Sequence, residues 1–322
     1  MGIRRKTIGK VCGKNRRNAV FAPGDSSAEA KDAPEMGAVD GPGDRKGRAE
    51  PGVEVLAATR DPKPAETRLE RVRIPGMGDS RRHRGPHPFD EQLFSPEALP
   101  DLRRAVTDLS WLRSRGYAEV SAVKLVGDRY QLRQRQRVAM RRCASSDAAV
   151  ARRASSRLSS NDLAGRRLEI DGLNVITTIE VFLSGGVLLL GRDGCMRDMA
   201  SFHGSYRLVH ETERAVDMLV DVVESLGVAN ATAYIDRPVS NSGRLAETIR
   251  NAASGKGVDF EAVTADRVDE VLASSKSVIA TSDSAILDAC SAWLNLARLV
   301  VERHAEDLEP MWLLDLSCDS ER

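Results

Sequence analysis

The sequence predicts an α/β protein: a parallel sheet with helices on both faces, preceded by a small helical module and a disordered N-terminal tail. Two observations predict it. After about residue 163, short apolar runs alternate with segments of helical period, the order that builds parallel strands joined by helical crossovers. Before that point, apolar residues show no sustained period as far as residue 87, then recur at three- and four-residue steps. The chain therefore divides into a disordered tail (1–88), a basic helical module (89–145), a linker (146–162), the α/β domain (163–305) and a C-terminal tail (306–322).

The N-terminal tail is Gly, Pro, Ala and mixed charge, and it holds too little apolar surface to offset the entropy of ordering it. In the module, Ser95-Pro96-Glu97 predicts a helix start with Ser95 as the cap and Pro96 at the first helical position. Leu99, Leu102, Val106, Leu109 and Leu112 form its buried stripe, and Arg115-Gly116-Tyr117 ends it. A second short helix is expected from Ser121 through Val126, broken by Gly127-Asp128, and a third carries Leu132 and Val138.

Arg129, Arg133, Arg135, Arg137, Arg141, Arg142, Arg152, Arg153 and Arg157 then follow with only Asp147 against them. So dense a positive stretch predicts contact with phosphate, and Arg133, Arg137 and Arg141 are candidate RNA-binding residues. Tyr130 is the one aromatic interleaved with them, so contact with the nucleic-acid backbone is expected rather than base stacking.

In the α/β domain, strands are expected at 167–170, 187–190, 231–235, 258–263, 277–280 and 297–301, with helices at 211–226, 242–253, 268–274 and 283–292. The overall net charge of +1 hides a split: residues 1–170 carry +13 and residues 171–322 carry −12. One half is built to meet anions, and the other is acidic. Five scattered cysteines, with no C-x-x-C pair, point to a reduced cytoplasm, and no apolar run is long enough to span a membrane. No G-x-x-x-x-G-K-[ST] loop, G-x-G-x-x-G turn or G-x-S-x-G elbow occurs, which disfavours nucleotide-triphosphate, dinucleotide and serine-hydrolase chemistry.

Three aspartates stand just past expected strands: Asp171, Asp236 and Asp283. In an open parallel sheet that is where working residues lie. Carboxylates gathered there repel one another unless they share a cation, and an all-oxygen set suits Mg²⁺ or Mn²⁺. Each has a structural reading too: Asp171-Gly172 as a turn, Asp236 beside Arg237 as an ion pair, Asp283 as a helix cap. His203 and Arg207, in His203-Gly204-Ser205-Tyr206-Arg207, are candidates for substrate contact. Ser240-Asn241-Ser242-Gly243 opens a helix either as a cap or as a phosphate cradle.

Ile170-Asp171-Gly172-Leu173-Asn174-Val175 resembles the opening D-G-x-N motif of the PIN-like nuclease superfamily, in particular its NYN-type branch. Thr281-Ser282-Asp283-Ser284-Ala285-Ile286 is similar to the T-x-D-x-x-I/L signature late in that fold. Over about residues 95–305 the chain also resembles an uncharacterised, mainly archaeal two-part family of domains of unknown function 434 and 5616. The likeness lies in Gly127-Asp128-Arg129-Tyr130-Gln131-Leu132, Arg192-Asp193-Gly194, Arg197-Asp198 and Pro238-Val239-Ser240-Asn241.

The nuclease resemblance implies a PIN-like domain cleaving RNA phosphodiester bonds with Mg²⁺ or Mn²⁺ held by Asp171, Asp236 and Asp283, with Asn174 orienting a ligand or water. The superfamily's further acid has no clear match; Glu180, Asp193 and Asp198 are the candidates, with Asp198 expected as the fourth ligand. The alternative is a non-catalytic RNA- or ribosome-associated binding protein with the same fold. The same carboxylates also suit a metal phosphatase.

Overall fold

The computed structural model describes residues 83–200, 206–306 and 311–317. The expected disordered tail therefore lies, but for residues 83–88, outside the described residues. Five helices come first: α1 (Asp90–Leu93), α2 (Leu99–Ser114), α3 (Glu119–Arg129), α4 (Gln134–Cys143) and α5 (Asp147–Ser156). Leu102, Val106 and Leu109 of α2 pack with Val126, Leu132 and Met140 in one core.

Helix α2 begins at Leu99, not at the expected Pro96, and Ser95 caps nothing; residues 95–98 form a turn closed by Ala98 N–H to Ser95 O (3.0 Å). Pro100 explains the shift. A helix begun at Pro96 would bury Pro100 past its first turn, where the ring clashes with the preceding turn, whereas a start at Leu99 leaves Pro100 at the second position. Gly127 likewise lies within α3 rather than breaking it, because the guanidinium of Arg137 occupies the space a β-carbon there would need. At the end of α2, Gly116 takes a left-handed φ of +75°, as expected for a helix stop.

The α/β part comprises β1 (Arg167–Asp171), α6 (Gly172–Leu183), β2 (Leu188–Leu190), β3 (Met196–Asp198), α7 (Thr212–Ser225), β4 (Asn230–Asp236), α8 (Ser242–Ala253), β5 (Phe260–Ala265), α9 (Val268–Ser274), β6 (Val278–Ala280), α10 (Ser284–Ala289), β7 (Trp293–Leu294), α11 (Leu296–His304) and β8 (Leu313–Asp315). Five strands form a wholly parallel sheet in the order β5-β4-β1-β6-β7. The chain runs outward from β1 through β4 to β5, then crosses to β6 on the other side, so the order reverses beside β1. Ligands of such sheets sit at that point, past the carboxyl ends of the strands.

Helices cover both faces, and strand alternation shows it. Ala231, Ala233 and Ile235 of β4 face the core shared with α6, α7, α8 and α11. Tyr234 on the opposite face packs with Val268, Leu272, Ile286 and Trp293.

Three expectations are corrected. The linker over 146–162 contains α5, capped by Ser146, whose hydroxyl accepts from Ala149 N–H (3.2 Å); its Ser and Ala residues have modest strand and core value but suit a helix held by Arg153. Residues 297–301 are in α11, not a strand: Leu296, Ala297, Val300 and Val301 recur at helical spacing and are all buried. The C-terminal tail over 306–322 supplies β8, which joins a second sheet in the order β3-β2-β8. That small sheet is two-faced. Leu188 enters the core of the large sheet, while its neighbour Leu189, with Leu314, enters the core of the helical module.

A buried ionic cluster fastens the same boundary. Arg153 of α5, 2% exposed, pairs with Asp193 (2.5 Å) and Asp288 (2.8 Å), and Arg197 pairs with Asp193 from the other side (2.7 Å). Truncating one partner of a buried pair strands the other's charge. Arg153→Ala is therefore expected to cost about 3 kcal/mol in urea unfolding, since Asp193 keeps Arg197, while Arg152→Ala, removing an exposed pair with Asp288, should cost less than about 1 kcal/mol.

Candidate functional site at the carboxyl ends of the parallel strands

A cavity of about 760 Å³ opens where the parallel strands end beneath the helical module. Asp171, Asp236, Asp269 and Asp283, from the α/β part, line it together with Arg113, Tyr117, Arg141 and Arg142 of the helical module. Sequence reasoning named three of these four acids, and the structure brings all three to one place.

Asp171 ends β1 and caps α6: Oδ1 accepts from Asn174 N–H (3.3 Å) and Oδ2 from the Thr281 hydroxyl (2.8 Å). Gly172 follows because α6 starts hard against β4; a β-carbon there would meet Ile235 Cγ1 and the Tyr234 carbonyl at 3.0 Å. Burial pushes the Asp171 carboxyl up to about 7, with the charges of Asp269 and Asp236 adding to it. Asp236 at the end of β4 is also raised, chiefly by burial. Asp283 performs its expected capping role, Oδ1 accepting from Ala285 N–H (2.7 Å) and Ile286 N–H (3.3 Å), and still lines the cavity.

Asp269, near the start of α9, is the acid that sequence reasoning missed. Its carboxyl is raised by burial and by the facing charges of Asp283 and Asp236. The signal was present but weaker: β5 is a parallel strand, and Asp269 follows its end across a short turn, at the start of α9.

The three acids weighed for the fourth place are committed elsewhere. Asp198 lines the cavity, but Oδ2 accepts from the Thr178 hydroxyl (2.8 Å), and Oδ1 from Ala200 N–H (2.7 Å) and Arg142 (3.3 Å). Burial acts against the charge of Asp193, yet Arg197 and Arg153 hold its carboxyl down at about 2. Glu180 is buried against Tyr206, Thr212 and Arg84, with burial raising its carboxyl. By contrast, none of Asp171, Asp236, Asp269 and Asp283 has a Lys or Arg partner in a described ion pair. The arginines beside them are spent on other carboxylates, which leaves the floor of the cavity anionic.

Asn174 acts on the protein itself. Its Oδ1 accepts from Ser282 N–H (2.8 Å) and the Ser282 hydroxyl (2.9 Å), tying the loop before Asp283 to α6. One turn on, Thr177 lines the cavity with a buried Oγ1 that has no hydrogen-bond partner.

The arginine stretch is not the free basic face expected. Arg129 faces Asp108, Arg135 Asp90, Arg137 Asp128, Arg142 Asp198 and Arg152 Asp288, partners drawn mostly from distant parts of the chain. Of the three candidate RNA contacts, Arg137 is fixed inside the module on Asp128 and the Leu132 carbonyl, and Arg133 does not line the cavity. Arg141 does line it, is exposed, and takes part in no described ion pair. Tyr130, half-buried, donates its hydroxyl to Asp108 (2.9 Å). Arg207 is exposed in the loop before α7 and outside the cavity, and His203 lies outside the described residues. Ser240 and Asn241 both donate to the Tyr206 carbonyl (3.1 and 2.8 Å), with Asn241 left-handed at φ +64°, so this segment is a tie between loops.

The donor set at the strand ends is all oxygen, the chemistry of a hard divalent cation. Among the described residues no three His, Cys, Asp or Glu side chains converge into a preformed metal cage. Magnesium is commonly held by one or two carboxylates plus waters and substrate phosphates, and Asp171 with its neighbours Asp236 and Asp269 fits that mode. No helix among the described residues is long and apolar enough to cross a membrane.

Comparison with known proteins agrees with the two-part organisation. A model described as a protein of unknown function (DUF434) matches residues 101–155, and one described as a domain of unknown function (DUF5616) matches residues 160–299. An uncharacterised protein of Methanocaldococcus jannaschii is 28% identical over 186 residues, covering 58% of this chain and 88% of that protein. No solved structure matches the chain.

The raised carboxyl of Asp171 makes stability depend on pH. An unfolded aspartate titrates near 3.9 and the folded one near 7, so the folded state holds the extra proton between those values. The stabilisation is complete below about pH 4 and is lost as pH rises through about 7. In EDTA, Asp171→Asn should gain stability relative to wild type as pH rises from 4 to 8, by up to about 4 kcal/mol, read from urea midpoints at each pH.

Proposed function

We propose that this chain, similar in both its parts to a two-domain family of unknown function, is a divalent-metal-dependent ribonuclease. One observation carries the reading: four aspartates that end or follow β1, β4, β5 and β6, none of them in a described ion pair, line one cavity together with Arg141, which is also in no described ion pair. An anionic floor needs a cation, and a guanidinium in the same cavity favours a substrate with its own negative charge. A phosphodiester meets both. The D-G-x-N and T-x-D-x-x-I/L motifs around Asp171 and Asp283, resembling PIN-like nucleases, support the same chemistry.

Asp171, Asp236 and Asp269 would hold Mg²⁺ or Mn²⁺. The chemistry such an ion supplies is charge stabilisation at the phosphoryl oxygens and a lower pKa for the attacking water. The chain's own residues do the rest. Arg141 binds a backbone phosphate and draws the strand in. Asn174 fixes the loop that carries Asp283, and the Thr177 hydroxyl offers a donor at the cavity wall. Asp283, whose Oδ2 accepts no described hydrogen bond, takes the proton released as the water oxygen bonds to phosphorus and the ester P–O bond breaks, the leaving oxygen taking up a proton from solvent water. The helical module covers the strand ends and limits bulk water. The free and buried Cys143, Cys195 and Cys290 suit a reducing cytoplasm.

Mn²⁺ or Mg²⁺ at millimolar concentration should raise the melting temperature of the wild type, as any ligand selective for the folded state does, and should not raise that of Asp171→Asn. Cleavage of a labelled RNA should fall by about a hundred-fold or more in Asp171→Asn, Asp236→Asn and Asp269→Asn. RNA binding by the wild type with no metal-dependent turnover would instead support the non-catalytic binding protein.

Arg141 gives a separate test. Arg141→Gln should weaken RNA binding and lower the slope of log affinity against log salt by about 1, the value for one lost phosphate contact. Arg137→Gln, already spent on Asp128, should leave that slope unchanged.

A further inference from the structure

Three aromatic side chains of the helical module are exposed among the described residues: Phe89, Trp111 and Tyr117. They differ in what already covers them. Phe89 tilts against His87, and the Arg115 guanidinium lies 3.6 Å from the centroid of the Trp111 ring. Tyr117 is 55% exposed, has no ring or cation partner among the described contacts, and alone of the three lines the acidic cavity.

Its position is fixed by the backbone. Gly116, left-handed at φ +75°, turns the chain out of α2, and Tyr117 N–H returns to the Leu112 carbonyl (3.2 Å). Arg113, on the same wall, is tied to Glu119 and the Ala144 carbonyl. An aromatic ring is thus presented, at no further ordering cost to the main chain, in a cavity lined also by carboxylates, guanidiniums and hydroxyls and by the apolar Leu173 and Val239.

We propose that Tyr117 is the stacking platform for an unpaired base of a single RNA strand, whose phosphates pass Arg141 on the way to the aspartates. The inference rests on the ribonuclease reading of the same site and adds the substrate class and the residue that selects it. Tyr117 is the one aromatic ring lining the cavity, and the surface of a nucleic acid that matches a flat ring is the face of a base. In a duplex both faces are covered by neighbouring base pairs, so the base must come from a single strand, loop or end. Tyr130, the one aromatic interleaved with the arginines in the sequence, does not line the cavity, and its hydroxyl is held by Asp108.

The test is fluorescence anisotropy of the full chain in EDTA, where nothing is cut, with three labelled probes: a short oligoadenylate, the same length of abasic sugar-phosphate backbone, and a blunt RNA duplex. Tyr117→Leu should bind the oligoadenylate roughly ten-fold or more weakly, the range of one lost base stack, while Tyr117→Phe keeps the ring and the affinity. The abasic probe should not distinguish Tyr117→Leu from wild type, and the duplex should bind more weakly than the single strand. Equal binding of oligoadenylate by Tyr117→Leu and wild type overturns the inference, as does an equal loss in Tyr117→Phe, which would assign the effect to the hydroxyl. Cleavage assays in Mn²⁺ separate the two readings. If Asp171→Asn is inactive and Tyr117→Leu cuts single strands as wild type does, the ribonuclease stands and the stacking platform falls. If wild type neither binds nor cuts RNA, both fall.

Discussion

The carboxylate of Asp193 is where the molecule is pinned together. It is buried between Arg153 from the helical module and Arg197 from β3, and Arg197 also donates to the Ser282 carbonyl in the loop that carries Asp283 (3.0 Å). Three segments far apart in sequence therefore meet at one charge. A buried ion triad of this kind adds little net stability, because each charge is desolvated to make it. What it fixes is arrangement: any other placement of α5 over the sheet would leave a guanidinium or a carboxylate buried and alone. The two walls of the cavity owe their relative position to that penalty.

The same cluster determines the electrostatics of the site. Arg142, Arg153 and Arg197 all border the cavity, and any one of them turned toward Asp171 would neutralise it. Asp193, Asp198 and Asp288 absorb them instead. The aspartates at the strand ends are left facing one another: the raised carboxyls of Asp171 and Asp269 record burial and the repulsion of their neighbours, and that of Asp236 records burial. A negative site beside so many arginines persists only because those arginines are already satisfied.

How much of this was legible in the sequence follows from the range of each interaction. Strand and helix periods are local, so β1, β4, α8 and α9 stand where the apolar pattern puts them, and the acids at strand ends follow from the period as well. Asp269 escaped because Asp266 and Arg267 intervene between β5 and α9, so it does not abut its strand as Asp171 and Asp236 do. The pairing of the arginines was invisible for the opposite reason: Arg135 and Asp90 are 45 residues apart, and Arg153 and Asp288 are 135 apart, so no local count of charge joins them. The 146–162 segment looked like a linker because its side chains are small. Arg153 and the fit of α5 against α10 make it a helix that carries much of the contact between the two parts.

The small β3-β2-β8 sheet sets an order of assembly. Its middle strand faces two cores at once, and its third strand is drawn from residues 313–315, well after every helix of the module. A nascent chain emerging from the ribosome can complete α2, α3 and α4 early, but the floor under them lacks Leu314 until nearly the whole described chain has been synthesised. The module therefore gains its last packing partner after the aspartate-bearing loops are already in place. Closure over the strand-end aspartates is thus set late in biosynthesis by the position of one short strand.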